Sequence, residues 1–157
     1  MHTVWSESCA VGIDEVDAQH RRFMDCVNTL AGAVHQEGRE KHETVWHTLH
    51  GVAEYVESHF LYEEVLMDEM GYPGLGVHRK MHELFILRVN NHVRRFDAGE
   101  DVTSELLDAL ERWIYNHIKT EDAQYAKFIS KLSAPARYIK PRDAPPSMWG
   151  RLLGKTR

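Results

Sequence analysis

Residues 59–82 read HFLYEEVLMDEMGYPGLGVHRKMH. His59 and Glu63 stand four apart before the Gly71-Tyr72-Pro73-Gly74 break, and His78 and His82 stand four apart after it. On a helix, residues four apart project from one face. Each half therefore offers two metal-binding side chains on one side, and the Gly/Pro cluster turns the chain between them. Two helices joined by so short a turn are antiparallel neighbours.

The same helical period extends outward. Upstream, Val45, Leu49, Val52 and Val56 continue the stripe of His59, Glu63, Leu66 and Met70, which predicts a helix from about Lys41 to Met70. Downstream, a helix from near Val77 carries His78, His82, Phe85, Val89, Val93 and Phe96, with Asp97-Ala98-Gly99 as its break. A first helix begins at Asp17 with His20, Phe23, Val27, Leu30, Ala31 and Val34, and Gly38 is expected to end it. A fourth opens at Thr103 or Ser104 and runs to about Leu132, with Leu106, Leu110, Trp113, Ile114 and His117 facing inward, then Phe128 and Leu132. Residues 1–16 lack the period; Trp5, Val11 and Ile13 read as an apolar arm. No segment reads as a strand. The expected fold is all-α, an up-down-up-down antiparallel four-helix bundle over residues 1–133 with an N-terminal arm.

Residues 134–157 form a second region, a basic extension holding Pro135, Pro141, Pro145 and Pro146. It carries six basic and one acidic side chain, whereas residues 1–133 carry 13 basic and 23 acidic. The acidic body argues against nucleic acid as a partner. The extension, with Trp149, Leu152 and Leu153 beside Arg151, Lys155 and Arg157, suits either contact with a protein or anionic membrane surface or a strap on the bundle. No signal peptide or transmembrane segment is expected, and Cys9 and Cys26 suggest no disulfide framework, so the expected location is cytoplasmic.

The chain has 11 histidines. Five of them, His20, His59, His78, His82 and His117, join Glu63 and Asp122 at levels that converge near one end of the bundle. Imidazole with carboxylate suits first-row ions such as iron, manganese or zinc. Seven ligands are too many for one tetrahedral zinc and suit two octahedral ions sharing carboxylates. Without metal, burying them would be costly. His117 and Asp122 are five apart, about 140° on a regular helix, so a π turn is expected between Trp113 and Asp122.

These residues, with Val11-Gly12-Ile13, Asp17-Ala18-Gln19-His20, His59-Phe60-Leu61-Tyr62-Glu63-Glu64, Tyr72-Pro73, Phe85 and Trp113, resemble the hemerythrins, within them the single-domain bacterial form, over about residues 5 to 128. The resemblance implies two iron ions with an oxo or hydroxo bridge. His78, His82 and His117 would hold one iron, His20 and His59 the other, and Glu63 and Asp122 would bridge them. The iron held by His20 and His59 would then be one ligand short, and dioxygen would bind there reversibly. The implied role is an oxygen carrier, store or sensor, with no enzyme activity and a monomer favoured over an oligomer. The alternatives are a di-iron oxidase or peroxidase, iron sequestration, and nitric oxide handling.

Phe23, Phe60, Leu84, Phe85, Trp113 and Ile114 are candidates to line the pocket. Gln19 and Glu64 either orient imidazoles or lie on solvated faces. Tyr62, Tyr115 and Tyr125 could donate hydrogen bonds or simply pack. His2, His35, His42, His47, His50 and His92 match no ligand position and read as surface or boundary residues, and Cys26 as a small core hydrophobe.

Overall fold

A computed structural model describes residues 5–132. The extension from residue 134 onward, with every reading placed on it, lies outside the described residues. Helix α1 spans Asp14–Ala33, α2 Gly38–Glu69, α3 Leu75–Asp97 and α4 Thr103–His117; a π-helical segment, Ile118–Asp122, joins α4 to α5, Ala123–Lys131. The expected fourth helix is thus one rod with a widened turn in it. The described residues contain no strand, and none of their helices is long and apolar enough to cross a membrane.

The arm is tied to α1 by Asp17, whose carboxylate accepts the backbone N–H of Val11 at 2.8 Å and of Gly12 at 3.1 Å. Gly12, at φ 81°, makes the bend that brings both amides round. Asp14, Glu15 and Asp17 in the first turn also suit the positive end of the helix dipole. The first helix starts earlier than its apolar stripe because acidic residues build its opening turn. It also stops at Ala33, short of Gly38. That glycine, at φ 59°, is instead the first residue of α2. Its left-handed backbone serves the start of the second helix rather than the end of the first.

Two apolar clusters fill the bundle. The larger gathers Phe23, Leu30, Val52, Phe60, Phe85, Leu106, Leu110 and Ile114. The smaller gathers Val16, Tyr62, Leu66, Met67, Tyr125 and Ile129. Along α2, Phe60 of the larger cluster and Tyr62 of the smaller stand between His59 and Glu63.

Candidate metal centre

Four helices and the π segment bring all seven expected residues into one layer. α1 supplies His20, α2 His59 and Glu63, α3 His78 and His82, α4 His117, and the π segment Asp122. None is more than 3% exposed. Their donor atoms form two groups, each within 4.8 Å: Glu63, His78, His82 and His117 in one, and His20, His59, Glu63 and Asp122 in the other. Glu63 belongs to both; its Oε2 lies 3.2 Å from Nε2 of His78, 3.2 Å from that of His82 and 3.5 Å from that of His59. Asp122 also faces both ways. Its Oδ1 is 3.1 Å from Nε2 of His117, and its Oδ2 is 3.1 Å from Nε2 of His20.

The π segment is what lets Asp122 do this. In a π turn the backbone closes from i to i+5, so residues five apart come round to one face. The expected wide turn is present, at Ile118–Asp122, directly after His117.

Outer partners fix the rings. The His59 Nδ1–H donates to Gln19 Oε1 at 2.7 Å, and Gln19 in turn donates to Glu15 at 2.9 Å. The His82 Nδ1–H donates to Glu64 at 3.0 Å, while Arg79 Nε donates to the other oxygen of Glu64 at 2.8 Å. With Nδ1 committed as donor, Nε2 of each ring presents its lone pair inward. Gln19 and Glu64 therefore orient imidazoles and do not merely decorate a solvated face. Tyr125, which sequence left open between packing and hydrogen bonding, donates to Glu63 Oε1 at 2.6 Å.

Aromatic rings pack on the imidazoles. Phe60 stacks on His82 at 3.6 Å, Trp113 on His117 at 4.5 Å and Tyr55 on His59 at 4.5 Å. Phe23 stands behind, against Tyr55 and Trp113, and Phe85 stacks on Trp113. Ile114 is in the large core. Leu84 does not line the site: it is 51% exposed, because it lies two residues past His82 and points off the inward stripe. Tyr55 was not anticipated, although it precedes His59 by one helical turn, the spacing at which such a stack forms. His92 is buried rather than at the surface, its Nδ1 satisfied by the Arg88 carbonyl at 2.9 Å.

The layer is electrostatically incomplete on its own. Burial pushes His59 down to about 3 and lowers His20 and His117, so these rings are neutral. Burial works against charge on His82 as well, but hydrogen bonds to Glu63 and Glu64 outweigh it and raise that ring. Burial would also raise Glu63, yet the imidazoles of His59, His78 and His82 overcome it and hold its carboxyl well below the usual range. Asp122 moves the other way, pushed up by burial and by the Glu63 charge. Nε2 of His59 and both oxygens of Asp122 are buried without a hydrogen-bond partner, as is Nε2 of His20, which approaches Asp122 but not along a hydrogen bond. Nε2 of His82 lies 3.0 Å from that of His78 and 3.1 Å from that of His117. Ring nitrogens so close need a proton or a cation between them. A cation in each group meets that need, and the residues fit a two-metal site.

The chain is similar to known proteins. The family model described as the hemerythrin HHE cation binding domain matches residues 11–129. A bacteriohemerythrin of Pseudomonas paraeruginosa is 43% identical over 124 residues, 79% of each chain. One of Clostridium acetobutylicum is 30% identical over 125 residues, 78% of this chain and 97% of that one. A solved hemerythrin carrying a leucine-to-tyrosine mutation superposes with a TM-score of 0.75 at 24% identity, over 83% of this chain and 99% of the other, which extends the likeness to the fold.

Proposed function

The chain belongs to the hemerythrin family, and on that premise we propose that its buried layer holds two iron ions and binds dioxygen reversibly, as a carrier or store. His78, His82 and His117 would hold one iron, His20 and His59 the other, with Glu63 and Asp122 spanning both. Such a centre would supply two electrons to dioxygen, and His20 and His59 would hold the iron that binds it.

The observation that carries this reading is the unequal division of imidazoles, three in one group and two in the other, around a shared Glu63. The chain's own residues do the rest. Gln19 and Glu64 hold two rings with their lone pairs inward. Tyr125 keeps one Glu63 oxygen occupied, which leaves the other free to face both groups. Phe60, Trp113 and Tyr55 cover the rings and keep water from the layer. Five imidazoles with only two carboxylates differ from the Glu and Glu-x-x-His shell of the carboxylate di-iron bundles.

The test is a visible spectrum through one oxygen cycle on the iron-loaded chain, reduced without oxygen, exposed to it, then degassed. A charge-transfer band that appears with oxygen and vanishes on degassing is the expected result. Immediate passage to a stable oxidised spectrum would overturn reversible binding.

A further inference from the structure

Between α3 and α4 lies an open groove of about 760 Å³. Its floor includes Phe85 and Trp113, and Trp113 is the ring stacked on His117. Its apolar rim is Met81, 39% exposed, and Leu84, 51% exposed. Charged residues complete the rim: Glu105, held by Arg95, Asp108, paired with Arg112, and Glu121 and Arg88. An aromatic floor, exposed apolar rim residues and a polar edge describe a seat for an apolar segment flanked by charges.

This chain supplies such a segment. We propose that its C-terminal region, residues 134–157, seats Trp149, Leu152 and Leu153 in the α3–α4 groove and covers the outer side of Trp113. The chemistry matches: the segment is net basic, with Arg151, Lys155 and Arg157 beside the apolar cluster, while residues 1–133 carry an excess of ten acidic side chains. The reach is sufficient. Trp149 is seventeen residue steps beyond Leu132, up to about 55 Å of extended chain. The way back along the helix from Leu132 to the level of Trp113 is about 30 Å. Tethering also favours this occupant over a free partner, because a linked segment meets its site at an effective concentration on the order of millimolar. The proposal does not rest on iron, since groove and segment are present whatever metal is bound.

Backbone hydrogen exchange on the full chain, read by peptide mass, tests it. Amides of residues 148–153 should exchange about tenfold or more slowly than the same sequence as a free peptide. Leu84→Asp, an exposed rim change that should leave helical content intact by circular dichroism, should abolish that protection. Trp149→Ser should abolish it from the other side and speed exchange in α4 peptides around Trp113. Exchange at the free-peptide rate in the unmodified chain overturns the proposal. So does protection that survives Leu84→Asp, which puts the segment elsewhere. Protection that appears only with phosphatidylglycerol vesicles also overturns it, in favour of a membrane surface.

Discussion

Leu110 on α4 and His59 on α2 are both fully buried, but their surroundings secure them differently. Leu110 belongs to a core whose members need only one another; hiding such a side chain from water stabilises the fold by about 1.5–3 kcal/mol. His59 belongs to a layer in which its own Nε2 and both oxygens of Asp122 lack partners until a cation enters. The apolar region specifies itself by packing. The polar layer is specified by an ion outside the sequence, and folding and binding are coupled there.

The largest test of that contrast is metal removal. Chelating the loaded chain should cost about 4 kcal/mol or more of unfolding free energy wherever free metal had stood at a thousand times its dissociation constant. Urea midpoints with and without chelator measure it, and equal midpoints would mean the layer is self-sufficient. Leu110→Ala should cost about 2–5 kcal/mol in either metal state and leave the oxygen-dependent band in place.

Next comes acid. In the metal-free chain the folded pKa of His59 is about 3, below the ordinary histidine value of 6.5, and His20 and His117 shift the same way. The unfolded chain therefore binds more protons between those limits, and the histidines' contribution to stability falls as pH drops from 6.5 toward 3. His59→Leu should flatten that slope in urea titrations across the window. An unchanged slope would remove His59 from the account.

Gln19→Leu should loosen the His59 ring and weaken metal binding by about 10–100-fold, read by competition with a chromophoric chelator. Smallest of all, Leu87→Ala at a 59% exposed position should change stability by less than about 0.5 kcal/mol.

The helices and all seven residues of the layer could be read from sequence because periodicity and four-residue spacing are local properties. The π turn was legible for the same reason: a spacing of five from His117 to Asp122 does not fit one face of a regular helix. Partners across the bundle were not. Tyr125 lies 62 residues from Glu63 and Gln19 lies 40 from His59, and nothing in either stretch alone distinguishes a hydrogen bond from packing. Asp17 looked like part of a helix start, and its grip on the arm emerges only when Gly12 bends the chain back. Leu84 failed as a lining residue because proximity to a ligand in sequence is not proximity in space.

The π segment also acts as a phase shift. Helix α5 is rotated relative to an uninterrupted continuation of α4, so Tyr125 and Ile129 reach the smaller core on a reading frame of faces that α4 alone does not define. Inserting one residue there, beside the exposed Thr120, would leave every histidine and carboxylate in the chain. It would nevertheless turn Asp122 and the α5 face away together. The layer can thus be lost through its spelling length with none of its letters changed.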